Sequence, residues 1–155
     1  MTVPVTIRIQ EADFDIAAEI AAMTAGRVDI GAVVSFSGIC RGADDGDDVA
    51  ALTLEHYPGM AEDEIGRHAA EAVKRWPVTA LTIVHRVGRM LPGDNIVLVL
   101  AASAHRQAAF SAAEFLMDYL KANAPFWKRE ERDGETRWVE AHDRDDAAAA
   151  RWGKD

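Results

Sequence analysis

Residues 95–130 read NIVLVLAASAHRQAAFSAAEFLMDYLKANAPFWKRE, and the fold turns on how they are read. Ile96–Leu100 is a nearly continuous apolar run, the pattern of a central strand buried on both faces. Ser103 stands where a helix cap is expected. A helix is predicted to follow to about Lys121, with His105 and Arg106 in its first turn and Phe110, Ala113, Met117 and Leu120 turned inward. Pro125 ends it. Phe126–Glu131 and Thr136–Glu140 then flank Asp133-Gly134, a hairpin signal. A buried strand, a long amphipathic helix and an antiparallel ribbon in succession predict a mixed α+β fold.

The rest of the chain extends this pattern. Leu81, Ile83 and Val87 mark one face of a strand that carries His85 between them, and Pro92-Gly93-Asp94 is a turn. Val49–His56 reads as a strand. A helix beginning near Pro58 buries Ile65, Ala69, Ala72 and Trp76 before Pro77 stops it. Val3–Ile9 is a β-branched strand, and Phe14–Met23 is a helix with Asp13 as its expected cap. Gly31–Cys40 is a strand with Val34, Phe36 and Gly38 on one face. A glycine so near the strand end predicts a bulge or a close backbone approach. Arg41–Asp48 (RGADDGDD) reads as a solvated turn or flap, and Asp145–Trp152 as a short Ala-rich helix. No repeat or composition break divides residues 1–155, so a single domain is expected.

Composition narrows the partners. Seventeen Lys and Arg face 26 Asp and Glu, a net charge of −9. That sign argues against a dedicated nucleic-acid binder or an anionic membrane surface as the partner. No apolar run approaches the ~20 residues of a membrane span. The first ten residues lack the layout of a secretion signal. One cysteine, Cys40, cannot form an internal disulfide, which fits a reducing cytoplasm. The chain is 49% hydrophobic, but 29 residues are alanine, so large side chains are expected to do most of the packing.

Metal, nucleotide and serine-hydrolase motifs are missing. The five histidines show no HExxH-like spacing, and neither GxxxxGK[ST], GxGxxG nor GxSxG occurs. Two other features point to anions. Ala102-Ser103-Ala104-His105-Arg106 lies at a strand-to-helix junction, where unpaired backbone N–H groups and the helix dipole favour negative charge. Arg106 is misplaced there as a helix stabiliser but suits a clamp on a bound anion. The plainer alternative is an arginine facing solvent or pairing with an acid. The second feature is Lys121 and Lys128 on either side of Pro125. Two cations facing one cavity would attract an anion and lower each other's pKa. Phe126 and Trp127 would form its apolar wall. Ordinary surface lysines are the alternative. Arg41 either reaches a ligand at the sheet end or pairs with Asp44 or Asp45. Cys40 reads better as a small core residue than as a nucleophile. His85 reads as a buried, hydrogen-bonded histidine.

Taken together, GAVVSFSGICR (31–41), LTLEHYPGMAE (52–62), VHRVGRMLPGD (84–94), SAHRQAAF (103–110) and MDYLKANAPFWKRE (117–130) resemble the large, catalytic subunit of molybdopterin synthase. The likeness runs in order through nearly the whole chain to RWVEA (137–141), and APFWKRE is its most specific segment. The resemblance implies an α/β hammerhead-type fold with a small added β subdomain. It implies a homodimer of large subunits with a small ubiquitin-like subunit docked at each end, a heterotetramer. That small subunit carries sulfur as a thiocarboxylate on its C-terminal Gly-Gly and threads its tail into the large subunit. Sulfur passes to cyclic pyranopterin monophosphate, and two transfers form the dithiolene of molybdopterin. No cofactor or metal is implied for this subunit. By the same resemblance Lys121 is the catalytic residue and Lys128 acts beside it. Arg41, His105 and Arg106 belong to the anion pocket, and Phe36 and Met117 line the tail channel. Two positions depart from the pattern. Cys40 stands where an aliphatic such as Val is expected, and His142 where an arginine is frequent, with Arg144 or Arg151 as possible replacements. A non-catalytic α+β module that binds an anionic metabolite or a partner tail is the main rival. A phosphate-ester enzyme using His105 as base is another.

Overall fold

In the computed structural model, residues 2–44, 47–123, 125–132, 134–139 and 143–153 are described. The elements run β1 (Val5–Gln10), α1 (Ile16–Thr24), β2 (Ala32–Ile39), β3 (Ala43–Asp44), β4 (Asp47–Asp48), β5 (Ala51–His56) and α2 (Met60–Arg75). There follow β6 (Val78–Arg86), β7 (Gly88–Met90), β8 (Asn95–Ser103), α3 (Arg106–Ala122), β9 (Phe126–Arg132), β10 (Glu135–Val139) and α4 (Asp143–Ala150).

The apolar run becomes β8, and it sits inside a sheet of order β1-β6-β8-β2. β1 lies parallel to β6, while β8 runs antiparallel to both β6 and β2. Alternation explains why the run is continuous. Val97, Val99 and Ala101 face α2 and α3, packing with Ile65, Ala69, Ala112, Phe115 and Leu116. Leu98 and Leu100 face the other way, toward Phe14 and the Ile16, Ile20 and Met23 stripe of α1. A second sheet, β10-β9-β5-β7, is antiparallel throughout. Its inward face carries Leu52, Leu54, Met90 and Glu130, all buried. The expected α+β class holds, and the second sheet fits the small β subdomain implied by the resemblance. Among the described residues no helix is long and apolar enough to cross a membrane.

Several local expectations change. Phe110 is 57% exposed rather than inward, because the buried stripe of α3 is Ala109, Ala112, Ala113 and Leu116, which leaves residue 110 outside. Alanines do more of the packing than their size suggested. Ala69, Ala72, Ala101, Ala109 and Ala112 have no exposed surface, and their small side chains let helix and sheet approach closely. Ser103 does not cap α3. It ends β8 and its hydroxyl donates to the His105 carbonyl, and His105 is the cap position. Asp15, not Asp13, caps α1 by accepting from the Ala18 N–H. Asp13 instead accepts from the Phe14 N–H at 2.8 Å and from Asn95 at 3.0 Å. Part of the acidic 41–48 stretch is ordered as the β3–β4 ladder, and Asp45 and Gly46 lie outside the described residues. Val87 follows β6 rather than lying in it, with its N–H on the Gln10 carbonyl at 3.0 Å. At Gly38 the expected bulge is met, since the β2–β8 register shifts there, while the close neighbour is a side chain and not backbone: a Cβ would stand 2.7 Å from Val97 Cγ1.

Candidate active site

Topology sorts the predicted site residues into two groups. β8 runs out to Ser103 and α3 turns back over it, so the last turn of α3 lies above the start of β8. β2 is antiparallel to β8 and pairs Ile39 with Asn95, so Cys40 and Arg41 emerge at that same end. His85 of β6 pairs with Val97 there as well. Lys121, in the last turn of α3, acts electrostatically on His85. Lys128, on β9, acts on Cys40. Arg41, Lys121 and Lys128 are therefore brought to one end of the sheet.

His105 and Arg106 are not. They stand at the opposite end of α3, beside Gly31, whose N–H donates to the Ser103 carbonyl at 3.0 Å. Fifteen residues of helix separate Arg106 from Lys121, about 22 Å at ~1.5 Å per residue. Both His105 and Arg106 are exposed. The first turn of α3 holds no acidic residue, and no side chain caps it among the described residues. Its amide donors and dipole are thus left for solvent or an anion. Lys121, by contrast, sits where a cation also stabilises the helix.

The Lys121 end is packed. His85 is 7% exposed, and its ring lies on Phe126 with centroids 4.2 Å apart and planes 22° from parallel. Its Nδ1 is 2.9 Å from the Arg86 carbonyl, which can only accept, so Nδ1 carries the proton. Burial pulls its pKa down to about 4, the Arg86 carbonyl opposes this, and the charges of Lys121 and His56 lower it further. The ring is neutral near pH 7. Phe126 also meets His56, at 6.2 Å between ring centroids.

Lys128 lies between Phe126 and Glu130 on the inner face of β9, opposite Leu54. Glu130 is 3% exposed and bonds Arg132 at 2.6 Å. Burial raises the pKa of the Cys40 thiol, Asp94 and Glu130 add to the rise, and Lys128 opposes it. A thiol held protonated in this way fits the core reading of Cys40.

Phe126 and Trp127 do not form one wall. They point to opposite faces of β9, as strand alternation requires. Trp127 meets Tyr57 edge-on at 5.0 Å and, with Glu55, His56 and Trp138, lines an open cleft of about 300 Å³ on the outer side. Arg129 binds Glu55 at 2.6 Å on that face and lies over the Trp138 ring. Phe36 is 38% exposed on β2, on the same face as Val34, which packs toward α3. Met117 is 7% exposed beneath α3. Arg151 is held by Glu114 and by Asp118 at 2.9 Å on α3, and His142 lies outside the described residues. His85 is buried and hydrogen-bonded as expected, and what sequence reasoning missed is its stacking on Phe126. The usable signal was His85 itself, a titratable group in an otherwise apolar strand. Among the described residues no three His, Cys, Asp or Glu side chains converge as a metal site.

Known proteins are similar to this chain in sequence and in fold. The sequence model of the family described as MoaE protein matches residues 9–123. A molybdopterin synthase catalytic subunit of Mesorhizobium japonicum is 68% identical over 149 residues, covering 95% of this chain and 92% of that one. The structure of a molybdopterin biosynthesis MoaE protein from Burkholderia ambifaria superposes with a TM-score of 0.83 at 52% identity, covering 97% of this chain and 99% of the other. A complex of subunits 1 and 2 of molybdopterin-converting factor from Helicobacter pylori shares the fold, with a TM-score of 0.70 at 21% identity over 88% of this chain and 90% of that one. With a family match across most of its length and close relatives along nearly all of it, this chain belongs to the MoaE protein family.

Proposed function

We propose that this chain is the catalytic subunit of a molybdopterin synthase. It takes sulfur from the thiocarboxylated C-terminal glycine of a small ubiquitin-like subunit and transfers it to cyclic pyranopterin monophosphate. Two such transfers build the dithiolene. The observation that carries this reading is the gathering of Lys121, Lys128 and Arg41 at one sheet end in a protein of net charge −9. A thiocarboxylate and a cyclic phosphate are both anions, and cations placed where they meet stabilise both. Lys121 stabilises the charge that develops as sulfur attacks, or shuttles a proton. Lys128 holds donor or substrate beside it. Phe36 and Met117 line the path of the small subunit's tail.

The length of α3 adds a requirement. His105 and Arg106 are too far from Lys121 to serve the same anion within one chain. A homodimer resolves this if the His105–Arg106 end of one copy approaches the Lys121 end of the other. With a small subunit at each end the assembly is a heterotetramer. The whole of residues 1–155 then acts as one catalytic domain in the cytoplasm, where its lone thiol stays reduced.

The test is reconstitution. Thiocarboxylated small subunit and cyclic pyranopterin monophosphate, mixed with this chain, should yield a dithiolene product, and a protein ending in Gly-Gly should co-purify with the chain. Binding of both without product would favour the non-catalytic module. Turnover of a phosphate ester without any partner would favour the enzyme using His105 as base.

A further inference from the structure

The resemblance assigns no role to His85, yet it is buried within electrostatic reach of Lys121 and stacks on the residue that opens the strand of Lys128. Three contacts fix it. β6 places it at the core end of the first sheet, opposite Val97. The Arg86 carbonyl holds its Nδ1 at 2.9 Å. Its face lies against Phe126 at 4.2 Å. Phe126 is the first residue of β9, directly after Pro125, and Lys128 is two positions further on. Residues i and i+2 of a strand share a face about 7 Å apart, so the Phe126 ring and the Lys128 side chain start from one face of β9. His85 also lies within electrostatic reach of Lys121. The His85–Phe126 stack thus joins the sheet that underlies Lys121 to the strand that bears Lys128.

We propose that His85 is a positioning residue for sulfur transfer: pinned by the Arg86 carbonyl and stacked on Phe126, its ring sets the spacing between Lys121 and Lys128. This rests on the reading of those lysines given above. A flat ring in the stack is what the role requires, and the imidazole itself performs no chemistry. Misplacing a catalytic cation by about 1 Å is enough to cost on the order of 100-fold in rate, whereas substrate binding at a cluster of cations tolerates such a shift better.

The experiment uses the reconstituted complex with thiocarboxylated small subunit and cyclic pyranopterin monophosphate. His85→Ala, His85→Phe and Lys121→Ala are compared for kcat, for KM of the pterin and for affinity of the small subunit. His85→Ala is expected to lower kcat at least tenfold, with KM and small-subunit affinity within threefold of wild type. His85→Phe restores the stack and is expected to return kcat to within threefold. A folded His85→Ala variant with kcat within twofold of wild type would overturn the proposal. So would His85→Phe as slow as His85→Ala, or loss of small-subunit affinity in both. Should His85→Ala fail to fold, His85→Phe decides alone: near-normal kcat supports the stack, and a tenfold loss refutes it. Full turnover by Lys121→Ala would remove the underlying site reading and this inference with it. Loss by Lys121→Ala alone would refute only the role of His85.

Discussion

The two ends of α3 carry the same sign of charge in opposite settings. At the C-terminal end, the exposed Lys121 lies within electrostatic reach of the buried His85, which stacks on Phe126, and Lys128 and Arg41 come in from other elements. At the N-terminal end, His105 and Arg106 are exposed. One end is preorganised for chemistry by the fold of a single chain. The other, on the proposed reading, is half a binding site that a second copy of the chain completes. The contrast shows why residues that suit one anion pocket by type need not meet within one chain. A helix this long keeps its two ends about 22 Å apart.

The largest effect is expected at the packed end. Lys121→Ala should reduce dithiolene formation at least ~100-fold, in the range seen for removing an acid–base group or an oxyanion donor. Its thermal melt and small-subunit docking should be unchanged. Normal product formation would make the two ends equivalent and end the comparison.

A second prediction concerns the floor beneath Lys121. The folded pKa of His85, about 4, lies below its usual 6.5. The unfolded chain therefore binds the extra proton first as pH falls. Stability from this group is fully present above about pH 6.5 and is lost as pH drops through about 4. The loss between pH 7 and pH 4 is about 3 kcal/mol. Urea melts of wild type and His85→Phe at both pH values should differ by that amount, the variant losing less. Equal losses would mean that His85 titrates normally.

A smaller effect is expected at the exposed end. Arg106→Ala should raise KM for cyclic pyranopterin monophosphate about tenfold, the loss of one charge-assisted hydrogen bond, with stability within ~0.5 kcal/mol as for an exposed side chain. An unchanged KM would leave Arg106 a solvent-facing residue and make the N-terminal end irrelevant.

Much of the fold was legible because local signals agreed. The continuous run at Ile96–Leu100 could only be a strand covered on both faces, and α1 and α3 do cover it. Asp133-Gly134 marked a hairpin that β9 and β10 form. Gly38 announced its own bulge. The failures share a cause, which is that they depend on contacts distant in sequence. Phe110 was placed inside on size, but the small residues Ala109, Ala112 and Ala113 take that face against β8. Trp127 was paired with Phe126 by adjacency, although adjacent strand residues point apart. Arg41, Lys121 and Lys128 come to one sheet end because β2, α3 and β9 all reach it. His105 and Arg106 join that group only through the resemblance, and within one chain α3 holds them at its opposite end.

Mixed dimers test the central claim most directly. Lys121→Ala and Arg106→Ala chains are purified separately, then exchanged into heterodimers and assayed with thiocarboxylated small subunit. If each site takes Lys121 from one copy and Arg106 from the other, a mixed dimer holds one intact site and one doubly defective site. Assayed with cyclic pyranopterin monophosphate well below KM, where both parent proteins are slow, random exchange should then bring activity up to about a quarter of wild type, well above the average of the two parent proteins, as expected for a site shared across a twofold interface. Activity that stays at that average would contradict the account, because it would mean that each chain uses its own two ends alone.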